Sequence, residues 1–377
     1  MSSVIKSPVT APIPSTSMPE NYDNRLHFKH QKILKSESNT TTPPSMSQYT
    51  EIPMLDMQEL RSSSSSSSSH HHHHRGRPQQ YAKEQLARAC TEWGTFYVIN
   101  HGIPEQLIQR YQKLVLQLFS LPLEQKLQAE RNKNSIFGYE FRQNQKSPIE
   151  VFQVGDHEAI IHHYSRKLFP NSYAQFCDAL KELKEALCHL SLEILELVTE
   201  GLGMNMNNFD MYRREIQGLI RANFYHQMDS HDEKEQVLGL KPHMDGSFIS
   251  LLLQDDVAGL EIMKDGNWFC VKPKENAICI MIGDLLEVIT NGYVSSLQHR
   301  TIQPTMKPRL SLGYFLIPLD TCTISIAPEF VDAKNPPLFR PFSWFEYLEL
   351  HRLFRAGLKG ISRPNPSTLL FFKPLEH

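Results

Sequence analysis

Between residues 219 and 317 the chain breaks into short apolar runs separated by Gly, Asp, Asn and Pro: "LIRANFY", "SFISLLLQ", "GLEIM", "WFCVKP", "AICIMI" and "RLSLGYFLI". Runs of this length, bounded by turn formers, predict antiparallel strands. Several in succession without intervening helices predict a sandwich or a jelly-roll barrel.

Upstream the periodicity is helical. "EIPMLDM" reads as a short strand, "QYAKEQLARAC" as a helix leading into the strand "TFYVI", and Pro104 suits the first turn of the next helix. That helix repeats Leu107, Tyr111, Leu114 and Leu118 on one face. A longer helix over residues 174–200 carries Phe176, Leu180, Leu183, Leu187, Leu190, Ile194 and Leu197, with Gly201 where a C-terminal cap would stand. Near the end, Ser343 and Glu346 are spaced as a capping box before "EYLELHRLF". The expected fold class is α+β: a jelly-roll core with an N-terminal helical region and a C-terminal helix. The expected division is a disordered low-complexity segment at 1–48, a helical region at 49–215 with a Ser/His-rich insert at 62–74, a barrel at 216–320 and a helical extension at 321–377. The insert, "SSSSSSSSHHHHH", reads as a solvated loop, since consecutive histidines on a floppy segment do not pre-organise a metal site.

Composition excludes several classes. Lys+Arg 39 against Asp+Glu 41 leaves no basic footprint for nucleic acid. No apolar stretch is long enough to span a bilayer, and the first thirty residues lack a basic start followed by an apolar block. The opening "MSSVIKSPVTAPIPSTS" is low in acid, as transit peptides are, but contains no Arg. Six scattered cysteines without a C-x-x-C pair suit buried free thiols in a reducing compartment. The expectation is a cytoplasmic monomer acting on a small molecule, without nucleic-acid or membrane partners.

Within the strand region, "KPHMDGS" sets His243 and Asp245 one residue apart, and His299 follows in "SSLQHRTIQ". Two histidines and one carboxylate can occupy one face of an octahedral metal and leave the remaining positions for substrates and O2. Alone the pattern is weak: His243 and Asp245 could satisfy each other at a strand end, and His299 could be a surface loop histidine. In "RLSLGYFLI", strand alternation puts Arg309, Ser311, Gly313, Phe315 and Ile317 on one face. An arginine and a hydroxyl on an otherwise apolar inner face call for an anion, and a carboxylate matches the guanidinium fork. An internal salt bridge from Arg309 to an acid such as Glu287 is the plainer alternative.

These motifs resemble, in family order, the plant-type 2-oxoglutarate- and Fe(II)-dependent dioxygenases, the group that includes isopenicillin N synthase-like oxidases and the gibberellin and flavonoid oxidases. The resemblance runs from about residue 51 to the end through "WGTFYVINHGIP", "RANFY", "GLKPHMDGS", "LLLQD", "GDLLEVITNG", "QHR" and "RLS". It implies a double-stranded β-helix and an oxidoreductase that hydroxylates or desaturates a small, mostly apolar metabolite or hormone, releasing succinate and CO2. The cofactor would be Fe(II), with 2-oxoglutarate as cosubstrate, O2, and ascorbate as reductant. It further implies that His243, Asp245 and His299 bind iron, with no catalytic residue beyond them. Arg309 and Ser311 would bind the distal carboxylate of 2-oxoglutarate, and Asn223 and Tyr225 would line the metal and cosubstrate. Phe315 would face the substrate, and the segment 135–155, with Phe137, Tyr139 and Lys146, would line the entrance. An oxidase that does not use 2-oxoglutarate and a catalytically silent metabolite-binding protein are the alternatives. "HMD" for the usual "HTD" and "HQMDSHD" in place of the usual proline and cysteine bear on the subfamily. His101 in "NHGI" is read as fixing a turn, Asp284 as completing a turn, Ile161–His163 as a loop near the substrate mouth, and Trp93, Trp268 and Trp344 as packing residues.

Overall fold

The computed structural model describes residues 48–64, 76–132, 135–143, 147–205, 212–213, 215–228, 237–356 and 367–374. The N-terminal segment before residue 48, residues 65–74 of the Ser/His insert and Lys146 lie outside them. The order begins β1 (Gln48–Thr50), β2 (Met54–Asp56), α1 (Met57–Ser64), α2 (Gly76–Arg88), β3 (Thr95–Ile99), α3 (Glu105–Ser120), α4 (Leu123–Leu127), β4 (Gly138–Arg142) and β5 (Ile149–Gly155). Helices α5 (Glu158–Leu168) and α6 (Tyr173–Gly201) follow. Then come β6 (Ile216–Tyr225), β7 (Leu238–His243), β8 (Ile249–Gln254), β9 (Leu260–Lys264), β10 (Asn267–Val271) and β11 (Ile278–Ile282). The chain closes with α7 (Asp284–Ile289), β12 (His299–Ile302), β13 (Arg309–Pro318), a β14–β15 pair (Thr323–Ile324, Phe342–Ser343) and α8 (Trp344–Ala356).

Two sheets form the core: an eight-stranded one in the order β2-β3-β11-β8-β13-β6-β5-β4 and a five-stranded one in the order β1-β10-β9-β12-β7. On β13, Leu310, Leu312, Tyr314 and Leu316 join a hydrophobic cluster with Phe176, Leu183, Leu187, Leu190 and Ile194 of α6. Because side chains alternate across a strand, Arg309, Ser311, Gly313 and Phe315 take the other face, toward the second sheet. The long helix therefore buries one face of the large sheet and leaves the other to the site.

Several local expectations change. All six runs form strands, but α7 interrupts them, and β7 joins them from "LGLKPH", whose Gly, Lys and Pro hid its pattern. Strands β2, β3, β4 and β5 bring chain from before residue 216 into the large sheet. Ile161–His163 is not a loop: it lies in α5, with Ile161 buried and His162 beside Glu158 and Lys181. Gly201 ends α6 as a helical residue; the left-handed turn comes at Gly203, with φ +75°. Ser343 caps α8 by accepting the Glu346 N–H at 3.1 Å, while the Glu346 carboxylate binds Arg340. All six cysteines are free thiols. Among the described residues no helix is long and apolar enough to cross a membrane.

Candidate metal centre

His243 ends β7 and His299 begins β12, and the two are register partners with ring centroids 4.2 Å apart. Asp245 lies in the turn after β7, and both Nε2 atoms stand 3.8 Å from its Oδ1. That separation is too long for a hydrogen bond, so His243 and Asp245 do not simply satisfy each other. Nor is His299 a surface residue, at 6% exposure. Nδ1 of His243 lies 2.7 Å from the Lys241 carbonyl and Nδ1 of His299 lies 3.0 Å from the Leu297 carbonyl. Since a carbonyl only accepts, each Nδ1 carries the proton and each Nε2 turns a lone pair toward Asp245. Burial, then the neighbouring His299, and more weakly the charge of Arg221 hold His243 well below the usual histidine range. Asp245 Oδ2 is buried without a hydrogen-bond partner. Two imidazole lone pairs and an uncompensated carboxylate, all within 4.8 Å of one another, fit a divalent cation.

A second polar set lies along the same inner face. Arg309, 1% exposed, donates from Nε to the Val257 carbonyl at 3.1 Å and from Nη2 to Gln254 Oε1 at 2.8 Å, over the Tyr225 ring. Its Nη1 is buried without a hydrogen-bond partner. Glu287 is not its counter-ion; that carboxylate accepts the Ser296 N–H at 2.6 Å. A buried cation held only by neutral groups suits an anionic guest. Beside it, Asn223 donates from Nδ2 to Ser311 Oγ at 3.4 Å, these two being register partners as Arg309 and Tyr225 are.

The residues expected at the substrate separate. Phe315 follows Ser311 on the inner face and folds back along it, its ring 3.0 Å from where a β-carbon on Gly313 would lie. Phe137 covers the hydrogen side of Gly155, 2.8 Å from such a carbon. Tyr139 is not brought to the triad: it is fully buried on the helix side of the sheet, with its hydroxyl on Glu150. Strand alternation accounts for this, since Tyr139 pairs with Phe152, whose ring lies in the helical core.

His101 Nδ1 accepts the Ile103 N–H at 3.1 Å, a turn-fixing bond. Asp284 does more than complete a turn. Its N–H donates to the Asp245 carbonyl at 2.8 Å, and its buried carboxylate accepts the Tyr347 hydroxyl at 2.8 Å. Burial pushes the Asp284 carboxyl up to about 7. Trp344 is buried and stacked on Tyr347, whereas Trp93 and Trp268 lie under Lys264 and Arg300. The sequence reading overlooked Gln254, Tyr347 and Arg221. Gln254 and Arg221 could have been found from alternation, but Tyr347 reaches the ligand turn only through tertiary packing.

Comparison with known proteins agrees with this geometry. The 2OG-Fe(II) oxygenase superfamily model matches residues 216–318, and the model for the N-terminal part of a non-haem dioxygenase in morphine synthesis matches residues 52–176. The chain is 32% identical to oxoglutarate-dependent flavonoid 7-O-demethylase 1 of Ocimum basilicum over 86% of its own length and 82% of that protein's. It is 30% identical to gibberellin 3-beta-dioxygenase 2 of Arabidopsis thaliana over 70% and 77%. The crystal structure of JOX2 in complex with 2OG, Fe and JA superposes with a TM-score of 0.71 at 25% identity, covering 92% of this chain and 97% of that one. With both halves of the chain matched and this identity sustained over most of its relatives' length, the protein belongs to the plant-type 2-oxoglutarate- and Fe(II)-dependent dioxygenases, a family of oxidoreductases whose cofactors are Fe(II) and 2-oxoglutarate.

Proposed function

We propose that His243, Asp245 and His299 hold the iron, that Arg309, Ser311, Asn223 and Tyr225 hold 2-oxoglutarate, and that the chain, a cytoplasmic monomer, hydroxylates or desaturates a small, mostly apolar metabolite or hormone. The observation that carries the reading is the pair of buried orphan atoms, Asp245 Oδ2 and Arg309 Nη1, which call for a cation and an anion along one inner face. Bound together, Fe(II), 2-oxoglutarate and O2 supply oxidative decarboxylation to succinate and CO2 and the oxidation of a substrate C–H. The protein's part is placement. The two carbonyl-bonded imidazoles present Nε2 from one side, and Asp245 supplies the balancing charge. Gln254 and the Val257 carbonyl fix the plane of Arg309, so its remaining N–H is aimed before the cosubstrate arrives. Phe315, on the inner face beyond Ser311, supplies an apolar wall that keeps water from the reacting carbon, whereas Phe137 packs against the helix-side core. The range of relatives, from a flavonoid demethylase to a gibberellin dioxygenase, supports an acceptor of this size and polarity.

The test is 2-oxoglutarate consumption and succinate release by anaerobically iron-loaded protein with gibberellin, flavonoid and alkaloid acceptors, beside His243→Ala and Arg309→Ala. Acceptor-stimulated succinate that disappears in both variants supports the assignment. Turnover of an acceptor without succinate would favour the oxidase alternative.

A further inference from the structure

Resting on the reading above, we infer that Arg300 is a positioning residue for the metal: from the outward face of the small sheet it holds the strand that presents His299. His299 and Arg300 are neighbours on β12, so their side chains leave opposite faces. His299 pairs with Ile262, which packs between the sheets with Tyr97, Cys279 and Met281, whereas Arg300 pairs with Glu261 and faces away from them. That outward face holds a buried ion pair. Arg300 is 6% exposed, Glu261 is 2% exposed, and Arg300 Nε donates to Glu261 Oε2 at 2.6 Å. The guanidinium also lies 4.2 Å from the ring centroid of Trp268 on β10. Side chains from three adjacent strands, β10, β9 and β12, thus meet at one cation.

The pair matters because the other neighbour of β12 holds it poorly. Strand β7, which carries His243, meets β12 with its register shifted between His299 and Thr301 and again between Thr301 and Ile302. Pro242, in that stretch, has no N–H to donate. A ladder interrupted in this way lets a strand bend and twist. On the β9 side the register runs without a shift through His299 and Ile262, Arg300 and Glu261, and Thr301 and Leu260. Strand β9 therefore sets the position of His299, and the ion pair fastens β12 to it one residue from the ligand. Its charge-assisted bond resists the sliding that the irregular β7 side would allow. An ion pair so buried adds little net stability, and Arg300 Nη2 bears the further cost of having no hydrogen-bond partner. What the pair secures is the orientation of His299.

The experiment measures Co(II) affinity and the Co(II) ligand-field spectrum of the full chain, beside thermal unfolding of the metal-free protein. Arg300→Met alone strands Glu261 and should lower both the metal-free Tm and the affinity. The deciding variant is the double change Glu261→Leu with Arg300→Met, in which an apolar pair replaces the two charges, a change that buried ion pairs tolerate. Its metal-free Tm should return to near the wild-type value. Co(II) should still bind about 10-fold more weakly than to the wild type, with an altered spectrum, as loss of a group that orients a ligand implies. If the double variant does not fold, Arg300→Lys carries the test: it keeps the charge but not the planar fork, and should weaken Co(II) binding with a smaller loss of Tm than Arg300→Met. Wild-type affinity and spectrum in the deciding variant, or an affinity that simply follows the metal-free Tm through the series, would overturn the inference. Failure of the wild-type protein to bind Co(II) tightly, or tight binding that survives His243→Ala, would instead overturn the reading on which it rests.

Discussion

Tyr347 lies so close over Gly246 that a β-carbon on the glycine would stand 2.6 Å from its ring. The C-terminal helix thus braces the turn that carries Asp245, and glycine is required there for want of space, not for a left-handed backbone. Gly246→Ala should cost about 1–3 kcal/mol, as overpacking does, and should weaken metal binding as the turn shifts. Thermal unfolding with and without Mn(II) checks both effects. Tyr347→Phe removes only the hydroxyl that Asp284 accepts, and should show a smaller loss of metal affinity.

Metal should stabilise the fold itself, because Asp245 Oδ2 is otherwise buried without a partner. At a free metal concentration of about 100 times Kd the gain is about 2.7 kcal/mol. Addition of Mn(II) should raise the Tm and EDTA should reverse it. Asp245→Asn, which removes the charge but not the volume, should abolish the response.

Gln254 is expected to govern cosubstrate affinity without touching the metal. Its amide oxygen accepts from Arg309, and its Nε2 donates to the Tyr97 hydroxyl, which in turn donates to the Lys272 carbonyl. Gln254→Leu frees the guanidinium to rotate and should raise KM for 2-oxoglutarate about 10-fold, with a smaller change in kcat. Steady-state kinetics in 2-oxoglutarate measure this directly.

Away from the site, Glu150 is 2% exposed and bound by His226, Lys126 and the Tyr139 hydroxyl. Burial would raise its carboxyl, but hydrogen bonds from these three groups outweigh burial and hold it below the usual value of 4.5. A folded-state value below the unfolded one gives stability that is present above pH 4.5 and lost as pH falls through the folded value. Glu150→Gln should flatten the acid limb of stability against pH in urea titrations. Lys126→Met, which leaves the buried carboxylate to His226 and the Tyr139 hydroxyl, should cost about 3 kcal/mol at neutral pH.

What the sequence disclosed follows from which interactions are local. Alternation on "RLSLGYFLI" put Arg309 and Ser311 on one face without knowledge of the partner strands, and the six apolar runs became strands at nearly their sequence bounds. Tyr139 is placed at the substrate entrance only by the resemblance; as a strand residue, it has the helical core on its side. Asp284 looked like a turn residue because its partner, Tyr347, is 63 positions away. Gln254 was not recognised because its value lies in orienting another side chain.

The assignment of the triad is tested most directly by anaerobic Fe(II) titration of the full chain, beside His243→Ala, Asp245→Asn and His299→Ala. The wild type should bind one tight ion per chain, and each variant should lose it while keeping any weak binding at the consecutive histidines 70–74. Tight stoichiometric binding that survives in the three variants would place the metal elsewhere and contradict the assignment.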